Sequence, residues 1–131
     1  MRGLLDTSVV IAAGDEAGFV ERLPEEAAIS VVTLAELHYG VLVARDAVTR
    51  ERRLVRAGRI EATFDPLPID ADVARSFATV AAAVRRQGRQ PRARIMDLWI
   101  AATALTHEMP LFTRNPDDLR GLDDLIHIEK V

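Results

Sequence analysis

The sequence contains no cysteine, and aromatic residues make up only 5% of its 131 positions. Without cysteine there are no disulfides, thiol nucleophiles or cysteine metal sites. Residues 1–15 also lack the pattern of a secretory signal, so a cytoplasmic location is expected. The scarcity of aromatics argues against a base-stacking platform of the single-strand-binding type. No apolar run approaches the roughly 20 residues of a membrane span, so no membrane partner is expected.

Charge is close to balanced overall but unevenly distributed. The formal net charge of -3 argues against binding of nucleic acid through charge alone. Basic residues nevertheless concentrate in two segments, with six arginines within residues 45–59 and five within residues 85–94. Residues 117–124 are acidic instead. The chain therefore carries two basic patches within an acidic protein.

Length and hydrophobic pattern predict one α/β domain over residues 1–131. Short apolar runs predict strands at residues 3–5, 28–32, 67–69, 110–113 and 125–128. Helical spacing predicts helices over residues 16–23, 33–45, 48–63, 71–87 and 96–107, with Asp15 and Asp70 as N-caps of the first and fourth. Strands this apolar, alternating with helices, indicate a parallel sheet covered on both faces.

Three acidic residues lie among apolar neighbours, where solvation alone does not explain them. Asp6 follows the first strand, Glu36 lies early in a helix, and Asp97 opens an apolar helix directly after the second arginine-rich segment. A buried carboxylate is costly unless it is paired, hydrogen-bonded or bound to a cation. Clustered carboxylates suit Mg²⁺ or Mn²⁺, which activate water for attack on a phosphodiester.

Each of these acids also has a purely structural interpretation. Thr33 and Glu36 fit a capping box, in which Glu36 satisfies a backbone donor at the helix start. Asp6 fits an N-cap for the helix that follows it. Asp97 fits a first-turn acid that complements the helix dipole. Spacing alone leaves these alternatives open.

Three segments together resemble the PIN-domain ribonucleases, specifically the VapC toxins of type II toxin-antitoxin modules: LLDTSVVIAA, ISVVTLAELHYGV and RIMDLWIAATALTHEMPLFTRNPDDL. The resemblance covers nearly the whole chain in the expected order. It implies a three-layer α/β/α fold with a five-stranded parallel sheet. It also implies a metal-dependent endoribonuclease that hydrolyses RNA phosphodiester bonds, is neutralised by a VapB-like antitoxin and forms a homodimer.

The resemblance assigns catalytic and metal-binding roles to Asp6, Glu36 and Asp97, with Mg²⁺ or Mn²⁺ as the cofactor. The fourth polar position of the family falls in TRNPDDL, where this sequence departs from the usual pattern because Leu119 replaces an aromatic residue. Asn115, with Asp118 in support, is the preferred completion of the catalytic set. Asp117 stays an alternative.

Four further residues are candidates beside the acids. Ser8 and Thr113 are expected to hydrogen-bond the carboxylates or a metal-bound water, although ordinary cap and strand-end roles fit them equally well. The arginines of residues 85–94, Arg94 among them, are expected to bind RNA phosphates, with a solvated loop as the alternative, and Arg114 is expected to contact the substrate. The resemblance places antitoxin contacts within residues 12–64.

Two other functions compete with this interpretation. A phosphatase of the haloacid dehalogenase type also places an Asp after its first strand, but its D-x-D-x-T core would need an acid where Ser8 stands. A binding module that kept the fold and lost activity is the second alternative, suggested by the altered fourth position. Metal-dependent cleavage of RNA distinguishes both from a nuclease.

Overall fold

A computed structural model describes residues 2–131 of the chain. Its strands are β1 (Arg2–Leu5), β2 (Glu26–Ala28), β3 (Leu111–Thr113) and β4 (Ile128–Lys130). Its α-helices are α1 (Thr7–Asp15), α2 (Val31–Leu42), α3 (Ala47–Thr63), α4 (Ala71–Arg86) and α5 (Ile95–Thr106). Short 3₁₀ turns lie at Phe19–Arg22, Pro91–Arg94 and Pro116–Leu119. No helix among the described residues is both long and apolar enough to cross a membrane.

The four strands form a parallel sheet in the order β2-β1-β3-β4. Neighbouring residues of one strand point to opposite faces, so Leu4 and Leu111 enter one core while Leu5 and Phe112 enter the other. The first core is closed by α4 and α5, and the second by α1, α2 and α3. The expected covered parallel sheet is confirmed.

The prediction of a strand at residues 67–69, and with it of a five-stranded sheet, is wrong. Leu67 makes a single parallel bridge to Ser30, through backbone hydrogen bonds of 2.9 and 3.0 Å to the neighbouring Ile29 and Val31. Pro66 and Pro68 flank Leu67 and have no N–H to donate. Because a strand cannot continue through such positions, pairing stops after one residue.

Several other predicted boundaries also need correction. The expected helix at 16–23 is a 3₁₀ turn, because Asp6 rather than Asp15 caps a helix and α1 ends at Asp15. The strand expected at 28–32 ends at residue 28, since α2 starts at Val31. The strand expected at 125–128 begins only at Ile128. Residues 125 and 126 instead form turn hydrogen bonds to the carbonyl of Leu122.

Other local predictions are confirmed. Asp70 caps α4, its Oδ1 accepting from the backbone N–H of Val73 at 3.0 Å. Helix α5 is largely buried, with Leu98 fully enclosed. Trp99 stacks on Phe77 of α4 with ring centroids 3.9 Å apart, so it belongs to the core. This packing fixes α5, and with it the first-turn Asp97, against α4.

Candidate active site

A cavity of about 390 Å³ opens at the carboxyl ends of β1 and β3. Ligand sites of open parallel sheets lie at this edge. Its polar lining comes from the strand ends, the first turns of α1 and α5, helix α2 and the 3₁₀ turns at Pro91–Arg94 and Pro116–Leu119: Asp6, Thr7, Ser8, Glu36, Arg94, Asp97, Thr113, Asn115 and Asp118. Residues from four separate parts of the chain therefore meet at one place.

Asp6 lies at the junction of β1 and α1 and caps the helix. Its Oδ1 accepts hydrogen bonds from the backbone N–H of Val9 at 3.1 Å and from the Ser8 hydroxyl at 2.6 Å. The structural interpretation of Asp6 as an N-cap is thus correct. Both bonds use the same oxygen, so Oδ2 accepts no hydrogen bond within residues 2–131. The cap orients the carboxylate and leaves one oxygen available to the cavity.

Glu36 does not belong to a capping box. Helix α2 is capped by Ser30, whose hydroxyl accepts from the N–H of Val32 at 3.0 Å, and Thr33 is a buried residue inside the helix. The Glu36 carboxylate accepts instead from the Thr7 hydroxyl at 2.6 Å. Glu36 therefore faces α1 and the cavity.

Thr7 is a residue that the sequence alone did not single out. Its hydroxyl lies 2.6 Å from Glu36 and 3.0 Å from the hydroxyl of Thr33, linking α1 to α2. The available signal was its position directly after Asp6 at the end of the first strand. Its partner, however, is 29 residues away, a distance over which local spacing carries no information.

Asp97 is the electrostatically strained member of the group. Partial burial, followed by the negative charges of Glu36, Asp118 and Asp6, raises its pKa from 3.8 to about 6, and Arg94 only partly opposes this. Like charges close together disfavour ionisation of one another. The carboxylates thus share one local field although they come from distant parts of the chain.

The TRNPDDL segment turns around the cavity through its 3₁₀ turn. Asn115 and Asp118 line the cavity, whereas Asp117 is exposed and does not. The Asp118 carboxylate pairs with the Arg94 guanidinium at 3.1 Å. Arg94 therefore lies at the cavity, already bound to an acid.

Thr113 lines the cavity, as the sequence predicts, whereas Arg114 lies elsewhere. The Thr113 hydroxyl accepts from the backbone N–H of Asn115 at 3.0 Å and, within residues 2–131, contacts no carboxylate. Arg114 does not line the cavity. Its guanidinium pairs with Glu16 and lies 5.4 Å from the centre of the Phe19 ring. These contacts hold it against the start of the 3₁₀ turn after α1.

Comparison with known proteins decides the family. The PIN domain model matches residues 3–125. Ribonuclease VapC5 of Mycobacterium tuberculosis is 41% identical over 128 residues, covering 97% of this chain and 92% of that protein. Ribonuclease VapC4 of the same organism is 37% identical over 117 residues, covering 88% of each. The chain belongs to the PIN-domain VapC ribonuclease family.

The fold agrees with a solved structure of the same family. VapBC-5 of M. tuberculosis, a member of the VapBC family of toxin-antitoxin systems, superposes with a TM-score of 0.84 at 39% identity. The match covers 99% of this chain and 98% of that chain. Membership in this family decides against the haloacid dehalogenase alternative.

The donor set of this VapC-family chain fits a hard divalent cation in its chemistry. Carboxylate and amide oxygens are the ligands that Mg²⁺ and Mn²⁺ prefer, and several such groups face one cavity. Within residues 2–131, however, no three His, Asp or Glu side chains are arranged to hold one ion. Glu36 is engaged by Thr7 and Asp118 by Arg94. Coordination by several of them therefore requires side-chain rotation.

Proposed function

We propose that this VapC-family ribonuclease hydrolyses RNA phosphodiester bonds at the cavity, with Mg²⁺ or Mn²⁺ held by Asp6, Glu36 and Asp97. The observation that supports this most directly is the convergence of these acids and Asp118 on one cavity. One guanidinium, that of Arg94, does not balance four carboxylates. A divalent cation would supply the missing positive charge at the place where the field is most negative.

The residues of the chain divide the work around that cation. Ser8 and Val9 fix Asp6 by one oxygen and leave the other for coordination. Thr7 does the same for Glu36, and groups that orient metal ligands in this way strengthen the site. A cation held there would polarise the phosphodiester and make water a better nucleophile. Asn115 and Asp118 complete the polar wall on the other side of the cavity.

Arg94 is proposed to bind the substrate. Its ion pair with Asp118 is half-exposed, and such pairs are worth little in water. An incoming phosphate therefore competes for the guanidinium at small cost, while Asp118 is released toward the cavity. Arg114 is not proposed to act on the substrate directly, because it lies outside the cavity against Glu16 and Phe19.

The partner is proposed to be a VapB-like antitoxin that covers residues 12–64, in a cytoplasmic complex that includes a homodimer of this chain. The solved VapBC-5 structure is described as a member of a toxin-antitoxin system. Most of the large hydrophobic side chains that the described residues expose lie in this segment: Val20, Tyr39, Leu42, Val43, Val48, Leu54 and Val55. Exposed apolar groups at this density are typical of a protein interface.

The decisive experiment is cleavage of total RNA by the purified chain with and without Mg²⁺ or Mn²⁺. Asp6→Asn is the sharpest variant, because Asn caps helices as well as Asp does and only the charge is lost. Asp117→Asn is the matched control, since Asp117 is an exposed acid of the same loop that does not line the cavity. We expect metal-dependent cleavage by the wild type and the control, and its loss in Asp6→Asn.

Two outcomes would contradict the proposal. Cleavage that persists in Asp6→Asn would show that the proposed ligand is not needed. An absence of cleavage by the folded wild type, with antitoxin binding retained, would favour the alternative of an inactive binding module.

A further inference from the structure

Two further cavities continue from the cavity that the carboxylates line. A second cavity, of about 180 Å³, shares Glu36, Arg94 and Asp97 with it and extends along the 3₁₀ turn that precedes α5. A third, of about 510 Å³, shares Arg92 with the second and is lined by residues 85 and 88–92. The three cavities therefore follow one another from the sheet edge to the C-terminal end of α4.

The far end of this path carries uncompensated positive charge. The third cavity contains three arginines, Arg85, Arg89 and Arg92, and no acidic residue. Arg89 donates to the backbone carbonyl of Arg120 at 3.2 Å, and within residues 2–131 neither Arg85 nor Arg92 forms an ion pair. Guanidinium groups that share a cavity repel one another unless an anion lies between them, and phosphate is the anion that their planar donor pattern fits.

The middle of the path has a different chemistry. Ile95 and Met96, which line the second cavity, are 42% and 39% exposed although they are large and apolar. They lie between the carboxylates and the unpaired arginines. The three cavities thus offer charged and apolar side chains in turn. This surface matches a single-stranded nucleic acid, because its backbone is charged and its bases have flat, apolar faces.

We propose that single-stranded RNA lies along these three cavities, with its backbone phosphates bound by Arg85 and Arg92 and its bases against Ile95 and Met96. This inference rests on the proposed ribonuclease function and adds the direction in which the substrate leaves the catalytic cavity. The acidic cavity repels a polyanion by itself, whereas the arginine end attracts one. The arginine end therefore supplies binding that the catalytic cavity lacks.

The test compares the double variant R85Q/R92Q with the double variant R50Q/R59Q, both made in the chain of residues 1–131. Arg50 and Arg59 are exposed arginines of α3 outside all three cavities, so their joint loss controls for the removal of two positive charges. Binding is measured by fluorescence anisotropy with a labelled 2′-O-methyl single-stranded RNA, which cannot be cleaved, over a series of salt concentrations. Each phosphate contact on a single strand contributes about 0.7 to the slope of log K against log salt.

We expect R85Q/R92Q to reduce the magnitude of that slope by about 1.4, and R50Q/R59Q to leave it unchanged. In cleavage assays KM should rise for a long RNA with kcat retained. For an oligonucleotide too short to reach beyond the catalytic cavity, neither constant should change. This dependence on substrate length separates a strand-binding surface from a general loss of folding, and circular dichroism checks the fold independently.

An unchanged salt slope and KM in R85Q/R92Q, with active wild-type enzyme, would overturn this inference while leaving the ribonuclease function intact. If R85Q/R92Q loses antitoxin binding but keeps its RNA binding, the inference is also overturned, because the surface would then bind a protein. If the wild type cleaves no RNA but its RNA binding still depends on Arg85 and Arg92, the proposed function fails and the binding surface stands.

Discussion

Replacing Asp97 by Asn should stabilise the metal-free protein at neutral pH. The pKa of Asp97 is raised from 3.8 to about 6 by burial and by the charges of Glu36, Asp118 and Asp6. A folded-state pKa above the unfolded value means that ionisation of Asp97 opposes folding. Ionisation of Asp97 costs no stability below about pH 4. This cost grows as the pH rises to about 6 and is constant above that pH.

The size of the effect follows from the shift. A change from 3.8 to about 6 corresponds to about 3 kcal/mol if the carboxyl were fully shielded. Asp97 is only half-buried, and solvent screens its neighbours, so about 1–2 kcal/mol is expected. Between pH 4 and pH 8, the free energy of unfolding of the Asn variant should therefore rise by that amount relative to that of the wild type.

Urea unfolding in EDTA, followed by circular dichroism at pH 4, 5, 6, 7 and 8, measures this difference. Asp117→Asn serves as the control, since an exposed acid outside the cavity should show no such trend. Adding Mg²⁺ should reverse the order, because an ion held at 100 times its Kd stabilises the wild type by about 2.7 kcal/mol. The Asn variant, which lacks one proposed ligand, should gain less.

One result would refute the reasoning about the site. If Asp97→Asn is no more stable than the wild type at any pH from 5 to 8 in EDTA, the acids do not repel one another in the folded chain. The premise for a cation at this cavity would then be lost. A Mg²⁺ effect equal in both proteins would show that the ion binds elsewhere.

Three further predictions concern residues around the site and the core. Thr7→Val keeps the side-chain shape but removes the hydrogen bond to Glu36. The kcat for RNA cleavage, measured by steady-state kinetics, or the affinity for metal, measured by titration, should therefore fall about tenfold or more. Unchanged values would show that Glu36 does not need this hydrogen bond. Gly3→Ala would place a Cβ 2.5 Å from a ring carbon of Phe112, and overpacking of this kind should cost about 1–3 kcal/mol in urea unfolding, with a neutral result showing that the ring moves freely. Leu98→Ala empties part of a fully buried position and should cost about 2–5 kcal/mol in the same assay, whereas a cost below 1 kcal/mol would mean that α5 packs loosely.

Local chemistry in the sequence determined a large part of this protein. Asp6 and Asp70 were recognisable as caps because a carboxylate before a helix satisfies free N–H groups close by in the chain. The apolar pattern of α5 predicted its burial, since such a helix has no face for water. The alternation of strands and helices predicted the covered parallel sheet, and with it the edge at which Asp6 lies.

Tertiary structure decided what depends on partners far apart in the sequence. The capping box at Thr33 was wrong because Ser30 pairs with Leu67 and caps α2 itself, which frees Glu36 to meet Thr7. Arg114 turned away from the cavity because Glu16, 98 residues earlier, pairs with it. Caps and helical faces depend on residues that are close together in the chain. Ion pairs and the convergence of the acids on the cavity depend instead on how distant segments pack, which no local pattern encodes.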